Sequence, residues 1–278
     1  MNKYFMMKTA NQIRKDIVTA VHSAKSGHPV GSLSATDVMT YLFVEELIID
    51  PKNPEKPDRD RFVLSKGHNA PALYSVLAER GYFPVKDLVT FRHTGSYLQG
   101  HPDMKHIPGV DMTSGSLGQG ISAAAGMALS AKLFHENYRV YTLLGDGEIQ
   151  EGQVWEAAMF AGAKGLDNLL VIIDNNGLQI DGKIETVCSP YPIGEKFAAF
   201  NFKVITVDDG NDFDQLDQAF QEAKESEGKP VAIILKTVKG KGVSFMENQA
   251  GWHGKTPNDE EYEQAMAELD KEGEALWH

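Results

Sequence analysis

Asp146, in the turn Gly145-Asp-Gly147, and Asn176, in the pair Asn175-Asn176, stand thirty positions apart, and each follows directly on an apolar run. The first run is Arg139-Val-Tyr-Thr-Leu-Leu144 and the second spans 168–174, with Leu-Leu-Val-Ile-Ile before Asp174. A carboxylate, an amide oxygen and a nearby backbone carbonyl form an oxygen-only donor set of low charge. That set suits magnesium, which keeps ligand positions for water and for the oxygens of a phosphate-bearing ligand. Gly145 and Gly147 let backbone N–H groups approach a diphosphate, and a helix expected from Glu148 to Lys164 would turn its positive end toward the same anion. Taken singly, Gly-Asp-Gly is a turn and Asn-Asn a loop that tolerates left-handed backbone. Placed on two consecutive strand ends, they become one site.

A second group of chemically able residues is histidine, of which the chain has nine. Four of them, His28, His68, His101 and His253, each adjoin Gly or lie beside Pro in an expected loop, where a side chain can face a cleft. An imidazole near neutral pH can move the hydroxyl protons of a sugar. For His28 and His101 a role as plain turn residues explains the sequence equally well. His22, His93, His106, His135 and His278 read as surface or core residues, and Asp181 and Lys241 as loop residues.

The elements that must position these groups alternate between helix and strand. Ile13, Ile17, Ala20, Val21 and Ala24 recur at helical spacing with Gly27 as a stop, and a second helical run follows Ser34. Segment 50–60 is a Pro- and charge-rich loop, 61–65 a short strand and 70–80 a helix. A small-residue loop over 111–120 opens an Ala-rich helix reaching Phe134. The runs at 139–144 and 168–174, joined by the expected helix, form a βαβ unit, so their strands should be parallel with a right-handed crossover. Further strands are expected at 203–207 and 230–236, with an amphipathic helix near 213–225 between them. An acidic helix is expected over about 259–277. Near-continuous apolar strands separated by helices imply an α/β fold, a three-layer α/β/α arrangement with a mostly parallel sheet, in one domain spanning 1–278.

Composition narrows the partners. A formal net charge of −12 over 278 residues argues against a nucleic-acid partner, whose phosphates call for clustered Lys and Arg. No apolar run approaches the ~20 residues needed to span a bilayer, and the N-terminal segment lacks the pattern of a secretory signal. The single cysteine, Cys188, permits no internal disulfide, which fits a reducing compartment, and the expected location is cytoplasmic. Nucleotide motifs fail on spacing: Gly145-x-Gly147 has Gln150 where the third glycine of a dinucleotide loop belongs, and no G-x-x-x-x-G-K-[ST] occurs.

The stretch from Gly145-Asp-Gly147 to Asn175-Asn176 resembles the thiamine diphosphate motif of the transketolase-like enzymes. The resemblance extends, in order, through Ser26-Gly-His-Pro29, Ser65-Lys-Gly-His68, Gln99-Gly-His-Pro102, Gly115-Ser-Leu-Gly-Gln-Gly120, Gly145-Asp-Gly-Glu-Ile-Gln-Glu-Gly152 and Trp252-His-Gly254, covering about residues 20 to 255. It implies a thiamine diphosphate-binding fold in which Asp146 and Asn176 hold Mg2+ with their side chains and Leu178 with its carbonyl. It implies further that Gly145 donates its N–H to the diphosphate, that Gly147 lies beside it, that Gly115 and Leu117 touch the aminopyrimidine ring, and that Ile180 packs on the thiazolium. His28, His68, His101 and His253 would line the substrate channel, and Glu151 would sit at the boundary with a partner. One departure stands out: Val30 occupies a position where the family usually has glycine, and a β-branched residue resists positive φ.

In that family a glutamate from a following domain activates the cofactor, and arginines expected to hold the sugar phosphate are absent from this chain. The resemblance therefore implies the diphosphate-binding subunit of a two-chain transketolase, paired with a pyrimidine-domain subunit in a heterotetramer and acting on sugar phosphates. The pentose phosphate pathway is the default setting by analogy. The alternatives are a thiamine diphosphate-binding module without catalysis, and a subunit of another enzyme using the same cofactor, such as a 2-oxo-acid dehydrogenase.

Overall fold

The computed structural model describes residues 1–276. In chain order the helices and strands are α1 (Lys3–Ala24), α2 (Pro29–Ser34), α3 (Thr36–Tyr41), β1 (Arg61–Leu64), α4 (Ala70–Glu79), α5 (Gln119–Phe134), β2 (Val140–Gly145), α6 (Gly152–Ala163), β3 (Leu169–Asn175), β4 (Leu178–Gln179), β5 (Gly182–Lys183), α7 (Ile184–Cys188), α8 (Ile193–Ala199), β6 (Lys203–Val207), α9 (Phe213–Lys224), β7 (Val231–Lys236) and α10 (Asp259–Ala275). Strands β1-β2-β3-β7-β6 form one sheet in that order, and every neighbouring pair is parallel. The small β4–β5 hairpin is antiparallel and separate.

Side chains alternate across each strand, so one run of apolar residues feeds two cores. Tyr141, Leu143, Leu170, Ile172, Ile233 and Leu235 pack on one face with α1, α3, α4 and α9. Val140, Leu144, Leu169, Val171, Ile173 and Ile234 pack on the other with α5, α6 and α8. Helices on both faces complete the expected α/β/α layering. Ile172 is fully buried, and truncation to Ala at such a position costs about 2–5 kcal/mol.

Helix α10 lies along α1 and buries Ala265 and Leu269. Its start is fixed by a reciprocal pair: Asn258 Oδ1 accepts the Glu261 N–H at 2.8 Å, and Glu261 Oε2 accepts the Asn258 N–H at 2.8 Å. Trp277, included in the expected acidic helix, lies outside the described residues, as does His278.

Several local expectations change. Helix α1 stops at Ala24 with Lys25 left-handed (φ 50°), ahead of Gly27. The helical run expected after Ser34 is α3, continued by a wider turn over Leu42–Glu46, but a further short helix, α2, precedes it and starts at Pro29, whose fixed φ suits the first helical turn. The helix expected over 148–164 is divided: Glu148–Gln150 form one tight turn, Glu151 is extended, and α6 starts at Gly152. The positive helix end thus lies four residues further on than expected. Val30 sits within α2, fully buried and without positive φ, so this position does not need glycine's freedom.

Candidate active site

Strands β2 and β3 pair with Gly145 opposite Asp174, so Asp146 and Asn176 emerge side by side beyond the carboxyl ends of the sheet. Asp146 is 2% exposed and stitches the two strand-end loops together. Its Oδ1 accepts the Gly147 N–H at 2.8 Å and its Oδ2 the Gly177 N–H at 2.6 Å. Burial, and next the neighbouring Asp174 carboxylate, push Asp146 up to about 6. A cation at these oxygens would relieve both penalties.

Asp174, fully buried, organises the floor. Its Oδ2 accepts from Ser34 Oγ at 2.5 Å, from Asn176 Nδ2 at 3.2 Å and from the Lys66 ammonium, and its Oδ1 accepts from the Thr237 hydroxyl. Burial opposes the charge, but Lys66 and the hydrogen bonds outweigh it and hold this carboxyl below its ordinary range. With its nitrogen committed to Asp174, the Asn176 amide turns Oδ1 away as an acceptor, which takes the Leu178 N–H at 3.2 Å. The Leu178 carbonyl accepts from Lys239 Nζ at 2.7 Å. Burial lowers Lys239 to about 8, against the pull of Asp146 and Asp174.

Glu148 joins a third segment to the floor. Its Oε1 accepts the Gly118 N–H at 2.9 Å and the Ser65 hydroxyl, and its Oε2 accepts the Gly145 N–H at 3.1 Å. The Gly145 N–H, which the family resemblance gives to a diphosphate, is therefore taken within the chain, because the Glu148 carboxylate turns inward instead of following a helix. Gly118 has φ +83°, and a Cβ there would stand 2.8 Å from the Glu151 Cβ, so glycine is needed for both backbone and space.

The wall above this floor is histidine. The rings of His28, His68 and His253 form a triangle with centroids 5.2, 5.3 and 5.4 Å apart. The Nδ1 atoms of His28 and His253 are buried without a partner among the described residues. Burial, then Arg92, lowers His28 to about 4; burial, then Lys239, lowers His253 to about 3. His68 and His101 are lowered for the same first reason. His101 lies across the cleft mouth beside Gly115, where a Cβ would come within 3.3 Å of its ring.

Floor and wall enclose one cleft of about 510 Å³, lined by all thirteen residues singled out from the sequence: His28, His68, His101, Gly115, Leu117, Gly145, Asp146, Gly147, Glu151, Asn176, Leu178, Ile180 and His253. Leu117 and Ile180 are 36% and 67% exposed at its rim, and Glu151 is exposed beside them. Lys66, Glu148, Gln150 and Lys239 also line it, although the sequence alone does not single them out. Lys66 lies inside the Ser65-Lys-Gly-His68 motif, and Lys239 lies two residues before Lys241, whose backbone carbonyl binds Arg14 Nε at 3.2 Å elsewhere. Asp181, which reads as a loop residue, lies at the cleft as well. Asp146, Asn176 Oδ1 and the Leu178 carbonyl supply only oxygen, a donor set that fits a hard divalent cation and leaves positions for a diphosphate. Among the described residues no cluster of three or more His, Cys, Asp and Glu is arranged to hold a metal, so any cation here depends on the amide and the carbonyl.

A doubly covered parallel sheet with oxygen donors on adjacent strand ends, under a cleft with an imidazole wall, defines an α/β protein whose ligand site lies at the carboxyl end of the sheet. Residues 6–275 match the family model "Transketolase, thiamine diphosphate binding domain", and the chain belongs to the transketolase family. It is 46% identical over 264 residues to a 6-deoxy-6-sulfo-D-fructose transketolase subunit of Clostridium sp. (strain MSTE9), covering 95% of this chain and 96% of that one. It is 40% identical to an apulose-4-phosphate transketolase subunit of Phocaeicola vulgatus over 95% of this chain and 93% of the relative. The transketolase of Mus musculus is 42% identical over 94% of this chain, which spans only 41% of that protein. The same proportion appears in solved structures. A Pichia stipitis transketolase complex with xylulose 5-phosphate superposes with TM-score 0.91 at 32% identity, covering 96% of this chain and 41% of that one. The Campylobacter jejuni transketolase gives 0.91 at 31% identity, covering 99% and 46%.

Proposed function

We propose that this chain is the thiamine diphosphate- and magnesium-binding subunit of a two-chain transketolase, which moves a two-carbon ketol unit from a ketose phosphate to an aldose phosphate. The observation that carries this reading is the single cleft in which Asp146, Asn176 and Leu178 lie on the floor and His28, His68 and His253 on the wall. Asp146, Asn176 Oδ1 and the Leu178 carbonyl would hold the cation, and Lys239, already against that carbonyl, adds positive charge for a diphosphate. Bound thiamine diphosphate supplies a nucleophilic carbon that can take up and release a ketose fragment. The histidines supply what the sugar needs: neutral imidazoles that donate to or accept from hydroxyls without charging.

Leu117, Ile180 and Glu151 stand at the open rim, which a pyrimidine-domain partner would cover. Two relatives that match this chain over 96% and 93% of their own length carry the word subunit in their names, which supports a separate partner. We place the assembly as a heterotetramer, in the cytoplasm, with the pentose phosphate pathway as its default setting. The decisive experiment mixes the purified chain with its partner, thiamine diphosphate and magnesium, and follows ketol transfer between pentose phosphates, with mass measurement of the complex. Activity requiring all four components supports the reading. Full activity from this chain alone would contradict the need for a partner, and cofactor binding with no transfer to any sugar phosphate would favour a non-catalytic binding module.

A further inference from the structure

We propose that Glu148 is a positioning residue, whose carboxylate fixes the distance between the ring-binding and diphosphate-binding sides of the cleft. The proposal rests on the cofactor reading above and adds a group to it. Three segments, far apart in sequence, meet at this one side chain: Ser65 at the end of β1, Gly118 before α5, and Gly145 at the end of β2. Each segment carries cleft residues. Ser65 precedes Lys66 and His68, Gly118 follows Gly115 and Leu117, and Gly145 precedes Asp146.

The segments also touch directly. A Cβ on Gly120 would stand 2.5 Å from the Ser65 Oγ and 2.6 Å from its Cα, so the start of α5 lies directly against Ser65 and has room only for glycine. Glu148 is 2% exposed and borders the cleft, so its carboxylate has left water for these donors. Both oxygens are used: Oε1 holds the first two segments and Oε2 the third. A carboxylate can accept at both ends, whereas an amide of equal size accepts at one end and donates at the other. Glutamine here would turn an N–H toward either Gly118 or Gly145, and one link would fail with no change in volume.

This predicts a difference between two ligands. Thiamine diphosphate spans both sides of the cleft, while inorganic pyrophosphate with magnesium touches only the diphosphate side. Calorimetric titration of Glu148→Gln should show thiamine diphosphate with magnesium binding about tenfold weaker, the scale of one hydrogen bond to a charged group. Magnesium pyrophosphate should bind the variant as well as the wild type or better, because a negative charge has gone. Glu148→Asp, which keeps the charge but shortens the reach, should show the same selective loss. Ser65→Ala removes one link and keeps the carboxylate, so a loss of about threefold confined to thiamine diphosphate is expected even if the Glu148 variants fold poorly. Equal losses on both ligands would mean that Glu148 only stabilises the fold and would overturn the proposal, as would unchanged affinity for both. With the titrations made on the chain paired with its partner, a wild-type complex that binds neither ligand would overturn the cofactor reading, and this proposal with it.

Discussion

At the floor of the cleft, charge is bound to charge or to strong donors. Asp174 holds Lys66, two hydroxyls and an amide; Asp146 takes two backbone N–H groups; Glu148 takes two N–H groups and a hydroxyl. Along the wall, His28, His68 and His253 meet only ring to ring, and two of their nitrogens have no partner among the described residues. The contrast follows from what each group costs to bury. An unpaired carboxylate or ammonium in the interior is prohibitively expensive, so the floor must be fully wired. An imidazole escapes that cost by staying neutral, so it can be kept dry and uncommitted. The floor therefore suits a fixed ligand, and the wall suits sugar hydroxyls held by hydrogen bonds to neutral rings.

This contrast can be broken most strongly at Asp174. Asp174→Asn leaves the buried Lys66 ammonium facing a neutral amide, and a loss of about 3–5 kcal/mol in folding stability is expected by denaturant titration. Stability within about 1 kcal/mol of wild type would show that the floor does not depend on this pair. Asp146→Ala comes next: magnesium-dependent thiamine diphosphate affinity should fall more than about 100-fold, beyond what loss of an outer-shell partner costs a metal site. The cofactor-free variant should change little in thermostability, since relief from a carboxylate that burial and Asp174 both disfavour offsets the loss of the bonds to Gly147 and Gly177. Near-normal affinity would reject Asp146 as a cation ligand.

The wall answers differently. His253→Ala should lower ketol transfer with the partner by about 100-fold while changing cofactor affinity less than about threefold. The reverse pattern would move His253 to the cofactor side. Its acid response is a further distinction. His28 and His253, lowered to about 4 and about 3 from 6.5, bind fewer protons folded than unfolded as the medium acidifies. Their contribution to stability is thus fully present above pH 6.5 and is lost as pH falls through about 4 for His28 and about 3 for His253. Replacing both with Asn should flatten the fall of Tm between those limits, and an unaltered acid limb would show that the rings are hydrated and titrate normally.

The two regions are also unequally legible in the sequence. Strands β2 and β3 stand out as continuous apolar runs, and the residues that follow them attract notice because strand ends are where parallel sheets bind ligands. Asp174 and Lys66 carry no such signal: they are 108 positions apart, and only the fold makes them partners. Nothing in the sequence favours Lys239 over Lys241 either, since spacing within a loop does not say which lysine turns inward. The division of the helix at Glu151 is marked in the sequence only by Gly152, and a single glycine within a helical pattern is ordinarily tolerated, while the inward turn of Glu148 depends on donors at Ser65 and Gly118. The β4–β5 hairpin has two-residue strands, too short for any periodic pattern.

The smallest expected effect lies at the hairpin, and it tests whether the mouth of the cleft shares the floor's wiring. Gln150 Nε2 donates to Gln179 Oε1 at 2.8 Å and to the Cys188 carbonyl at 2.6 Å. It thereby ties the turn after Asp146 to the hairpin that carries Leu178 and Ile180. Both bonds are neutral and near the surface, so each should contribute about 1 kcal/mol or less. Gln150→Ala should therefore weaken thiamine diphosphate binding by only about threefold and leave global stability nearly unchanged, while amide exchange over 178–188 becomes faster. Gln150→Glu sets a carboxylate against the Gln179 and Cys188 oxygens and should speed exchange further, because repulsion replaces two bonds. If exchange in both variants matched wild type, the hairpin would be held by its own turn and by Ile184, which is fully buried beneath it, and the mouth would belong with neither floor nor wall.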